Sequence, residues 1–101
     1  MILKEELILL TARIFFFSYQ WEAEWATHTC IEERVRKLYD VKHMNKSAYL
    51  IKTDDDIDIL NTYLSTCFEK EETYFLVDIT DQSNRHQGLD ALNINRWMDN
   101  I

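Results

Sequence analysis

The chain has 101 residues, 47% of them hydrophobic, and carries 11 Lys and Arg against 18 Asp and Glu for a formal net charge of −7. That length predicts a single domain, residues 1–101, built on one core, and the apolar content excludes the disordered, collagen-like and disulfide-scaffold classes. The negative balance disfavours bulk electrostatic capture of nucleic acid or of an anionic membrane.

Proline is absent and Gly88 is the only glycine, which excludes flexible linkers and glycine-rich phosphate loops. The segment from Ile2 to Phe17 is rich in Ile, Leu and Phe, but Lys4, Glu5, Glu6 and Arg13 interrupt it, so no uninterrupted apolar run reaches membrane-spanning length. Leu3 to Leu10 either extends the first strand or forms a short helix. Ala12–Tyr19, with Phe15, Phe16 and Phe17 in its centre, predicts a strand buried on both faces.

From Thr29 the apolar residues Ile31, Val35, Leu38 and Tyr39 recur at helical spacing. Thr29 with Glu32 reads as a capping box, and Glu32/Arg36 and Glu33/Lys37 stand as i,i+4 ion pairs. Asp40–Met44 and Ala48–Lys52 flank the polar break Asn45-Lys46-Ser47 and predict a hairpin. A second helix follows behind Thr53-Asp54-Asp55-Asp56, with Ile57, Leu60, Leu64, Cys67 and Phe68 on one face and an end near Lys70. Thr73–Thr80 reads as a fourth strand. Beyond a polar loop that holds Arg85, His86 and Gln87, the spacing of Ile94, Trp97, Met98 and Ile101 predicts a short terminal helix.

The expected fold class is therefore α+β, a ferredoxin-like β-α-β-β-α-β sandwich with a short C-terminal helix, in which the first and third strands are central. The fourth strand would then be an apolar edge that needs a cover. The C-terminal segment, a second subunit, or both are expected to pack against it or against the open face of the sheet.

Candidate chemistry is sparse. Cys30 and Cys67 form no CxxC pair and no zinc-finger spacing, which predicts unstapled thiols in a reducing cytoplasm. A nucleophilic role for Cys30 is opposed by Glu32 and Glu33, and Cys67 is expected in the core. Asp54, Asp55, Asp56 and Asp58 lack the glycine and distal glutamate of a calcium loop and suit a helix start instead. Asp78 and Asp81 border the polar loop, and Arg34, Arg36, Lys37, Lys42 and Lys46 form only a weak basic patch. His28, His43 and His86 match no metal or catalytic spacing. No metal or other cofactor is expected.

The segment Trp21-Glu22-Ala23-Glu24-Trp25-Ala26-Thr27-His28 stands apart. If it is extended, the tryptophans and glutamates fall on opposite sides. If it is helical, Trp21, Trp25 and His28 share a face and make a partner surface. Trp21, Glu22, Glu24, Trp25 and His28 are the candidate binding residues.

Ile14-Phe15-Phe16-Phe17-Ser18-Tyr19, the hairpin ending in Ser47–Thr53, the helix from Asp55, Thr73–Thr80 and the terminal Trp97 together resemble the small ferredoxin-like CRISPR-associated nuclease family. The resemblance spans residues 12–101 and implies a homodimer whose sheets face each other, the C-terminal segment completing the partner's sheet. It also implies a metal-binding aspartate at the end of the first strand. This chain reads Ser18-Tyr19-Gln20 there, and a neutral glutamine is a poor ligand for a hard cation.

The resulting expectation is a non-catalytic acidic homodimer, inhibitor-like or antitoxin-like, that binds a macromolecule, protein before nucleic acid, with no membrane association. The alternative is a metal-dependent nuclease that uses Glu22, Glu24 or Asp78.

Overall fold

The computed structural model describes residues 12–38, 40–83 and 97–98. The N-terminal extension, Tyr39, the loop with Arg85, His86 and Gln87, and most of the expected terminal helix lie outside these residues; Trp97 and Met98 are helical.

The elements run β1 (Arg13–Tyr19), α1 (Trp25–Arg36), β2 (Asp40–Asn45), β3 (Ala48–Thr53), α2 (Ile57–Ser65) and β4 (Tyr74–Asp78). The four strands form one antiparallel sheet in the order β2-β3-β1-β4, so the fold of the described residues is α+β, with α1 and α2 packed on the sheet. β1 and β3 occupy the centre, Phe16 facing Leu50 on one side and Val77 on the other. Central position explains their composition, since both faces of each are covered. β3 is buried along its whole length, and in β1 only Arg13 is exposed.

Strand alternation separates two cores. Phe15, Phe17 and Tyr19 of β1 and Tyr49 and Ile51 of β3 face the helices and pack with Ile31, Val35, Leu60, Leu64 and Cys67. Ile14 and Leu50 point the other way and are covered by Trp97, with Phe16, Met44, Ile79 and Met98 around them. Trp97 and Met98 thus cover part of the open face of their own chain's sheet. Trp97 does so over a buried cation: Lys52 Nζ donates to the Trp97 carbonyl at 2.5 Å and lies 4.5 Å from the indole centroid. Burial pushes the Lys52 ammonium pKa down, and Asp40, 3.9 Å away, works against that shift.

Four sequence expectations need correction. Helix α1 begins at Trp25, four residues before Thr29, and Thr29 does not cap it. The preceding Glu24 makes no side-chain cap either; the carboxylate of Glu72 replaces both, accepting from the Glu24 amide (3.0 Å), the Thr27 hydroxyl (2.7 Å) and the Glu69 amide (2.7 Å). These bonds, the Glu69 amide first, hold the Glu72 carboxyl below its ordinary pKa. The pairs Glu32/Arg36 and Glu33/Lys37 do not form; among the described residues the ion pairs are Arg13–Asp78 and Lys52–Asp40. Arg34 instead turns inward, donating to the Tyr63 carbonyl at 2.5 Å while the Tyr63 hydroxyl donates to the Arg34 carbonyl at 2.8 Å.

Helix α2 stops at Ser65 rather than near Lys70, the chain leaving in turns through Phe68. Its start behaves as expected, with Asp56 capping the Ile59 amide at 2.9 Å. The fourth correction concerns the thiols. Cys30 and Cys67 are bonded to each other, with Cα atoms 5.6 Å apart at a sequence separation of 37, and no free cysteine remains. The bridge joins α1 to the end of α2, two segments whose proximity no local spacing reveals.

Candidate partner-binding cleft

Residues 21–28 are neither fully extended nor fully helical: Trp21 and Glu22 form a turn, and the helix starts at Trp25. The arrangement still brings the aromatic candidates together. Trp21, Trp25 and His28 line one cleft of about 490 Å³ with Ala23, Glu32, His43 and Lys46. Trp21 is 57% exposed and Trp25 82%, so neither tryptophan caps the core. Glu22 and Glu24 are also exposed but do not line the cleft; the Glu24 amide is engaged by Glu72.

Each histidine of the lining is held by a tyrosine. His28 Nδ1 shares a 2.8 Å hydrogen bond with the Tyr19 hydroxyl at the end of β1, and the two rings lie 5.1 Å apart. His43, on β2, stacks on Tyr49 with centroids 4.4 Å apart and planes 15° from parallel. Burial pushes both phenols up in pKa, and for Tyr49 the neighbouring Tyr19 and the Glu32 charge add to it, so both stay protonated at neutral pH. The Tyr49 hydroxyl is buried with no hydrogen-bond partner among the described residues.

A second cleft of about 350 Å³ continues from the first, lined by Glu32, Val35, Arg36, Val41, His43 and Tyr49. Glu32 and His43 form the shared wall, so the two clefts make one groove between α1 and the β2–β3 hairpin. Sequence reading missed His43, Glu32, Lys46, Tyr19 and Tyr49 as part of this place, because each comes from a different element and only the sheet order juxtaposes them.

The other candidates are occupied elsewhere. Gln20, where the nuclease resemblance expects a carboxylate, accepts from the Thr73 amide (2.8 Å) and hydroxyl (3.0 Å), pinning the end of β1 to the start of β4. Asp78 bonds the Arg13 guanidinium and the Thr80 hydroxyl and amide. Burial works against its charge, yet these donors hold its pKa below the ordinary value. Among the described residues no three His, Cys, Asp or Glu side chains converge as a metal-ligand group, and no helix is long and apolar enough to cross a membrane. Comparison with known proteins finds no matching family model, no matching curated protein and no matching solved structure.

Proposed function

We propose that the chain is a small regulatory interaction protein, inhibitor-like or antitoxin-like, of ferredoxin-like architecture, which binds a protein partner through the groove between α1 and the β2–β3 hairpin. The finer fold name draws support from the strand order, which read from the other edge is β4-β1-β3-β2. The observation that carries the function is the exposure of Trp21 and Trp25 at the rim of one cleft. Tryptophan is costly to leave in water and is among the residues richest in binding energy when a partner covers it.

The homodimer belongs to the same proposal. Phe75 is 61% exposed and alternates with Tyr74 and Leu76, which face the helices, so it lies on the open face of the sheet. The cytoplasmic expectation rests on unpaired cysteines; the Cys30–Cys67 bridge supports an oxidising setting instead. The nuclease alternative loses its footing at Asp78 and Gln20, both held by structural bonds.

The test compares wild type with the double variant Trp21→Ala/Trp25→Ala as baits in a nuclease-treated extract of the source cells, with thermal melts alongside. The expected result is a protein retained by the wild type and lost by a variant that melts like the wild type. Equal retention by both overturns the proposal, as does metal-dependent cleavage of RNA or DNA by the wild type that a chelator abolishes.

A further inference from the structure

The groove already holds a cation, and it is the protein's own. Lys46, in the β2–β3 turn, places its ammonium 4.8 Å from the Trp21 ring centroid. Such an approach is attractive because the indole face carries negative electrostatic potential. Among the described residues Trp25 is the most exposed large hydrophobic, and it lines the same cleft with no cation over it. Glu32 closes the wall and makes no ion pair among the described residues. Two indole faces and an unpaired carboxylate around one opening are a receptor for positive charge, and Arg36 lines only the second cleft, beyond Glu32.

From this we infer that the cleft receives an arginine side chain from a basic segment of the protein partner, with Lys46 acting as an internal occupant that the arginine displaces. The inference rests on the protein-binding reading above. A guanidinium suits the site better than an ammonium, since it is planar, stacks on an indole and presents a fork of donors to a carboxylate. The net charge of −7 favours approach of a basic segment and disfavours a nucleic-acid strand, even though exposed tryptophans also suit bases. The arrangement sets a sign that a generic acidic surface does not: removing Lys46 frees the site and tightens binding.

The test measures fluorescence anisotropy of a labelled arginine-rich nonapeptide with the disulfide-intact protein, alongside a lysine-rich nonapeptide and a single-stranded oligonucleotide. Trp25→Ala and Glu32→Gln, both at exposed positions, are expected to weaken arginine-peptide binding about fivefold each. Lys46→Ala is expected to tighten it about threefold, beyond Lys70→Ala, which makes the same charge change at an exposed site outside the cleft. The lysine peptide is expected to bind more weakly than the arginine peptide. The inference is overturned if Lys46→Ala weakens binding, if it matches Lys70→Ala, or if the oligonucleotide binds more tightly than the peptide. Absence of peptide binding, with the tryptophan double variant still losing its captured partner, refutes the arginine and leaves the protein-binding reading intact.

Discussion

Glu72 shows how much a single side chain can organise when the residues it serves are far away in sequence. Its carboxylate satisfies the Glu24 and Glu69 amides and the Thr27 hydroxyl, and so ties the first turn of α1 to the loop before β4. Helix α1 carries Trp25, His28 and Glu32, so this cap also sets the groove. Because the folded-state pKa is depressed, the stabilisation is present above the ordinary carboxylate value of about 4.3 and is lost as pH falls through the lower folded value. Glu72→Gln turns one acceptor oxygen into a donor facing an amide. Urea unfolding at pH 7 should show a loss of about 1 kcal/mol, and the gap between variant and wild type should close as pH is lowered below 4. A constant gap across that range would refute the assignment. Nothing in the local sequence announces this cap: Thr29 and Glu32 have the spacing of a capping box, but the helix begins before them.

At the scale of elements, what periodicity can see, it saw. The three phenylalanines of β1, the hairpin around Asn45-Lys46-Ser47 and the aspartate start of α2 all report their own environment, and each element stands close to where its pattern lies. What it could not see are relations between elements. The Cys30–Cys67 bridge depends on α1 lying beside the end of α2, and the groove depends on β2 reaching the sheet edge near α1. The aromatic candidates Trp21, Trp25 and His28 were legible because they fall within one short segment; the carboxylate, histidine and lysine that complete the cleft were not. The bridge closes a long stretch of chain, and its removal by Cys30→Ala/Cys67→Ala should lower unfolding free energy by about 3 kcal/mol in urea titrations. Thiol titration of the denatured, unreduced wild type should find no reactive thiol; two reactive thiols would refute the bridge.

For the whole molecule, the two faces of the sheet are finished differently. The helices cover one completely enough to bury Phe15 and Phe17, while on the other Trp97 covers Ile14 and Leu50 and leaves Phe75 in solvent. In the proposed homodimer the remaining apolar surface meets its copy. Sedimentation equilibrium at tens of micromolar should give a dimer mass for the wild type and a monomer mass for Phe75→Glu, the far-ultraviolet circular dichroism staying unchanged because Phe75 contributes little to the monomer core. A monomeric wild type would refute the dimer.

The strand order also dictates when this protein can fold. β1 is made early, yet its two neighbours are β3 and β4, and its cover on the open face is Trp97. Until those segments leave the ribosome, β1 has no strand to pair with and Ile14 has no cover, although α1 already offers Ile31 and Val35 to Phe15 and Phe17. Among the described strands only the β2–β3 hairpin joins neighbours in sequence, so it is the natural place for structure to begin, with β1 recruited backward onto it. Synthesis therefore leaves an apolar strand waiting for most of the chain's length. Slow translation, or a stall before residue 74, would expose the segment best suited to pair with the wrong partner.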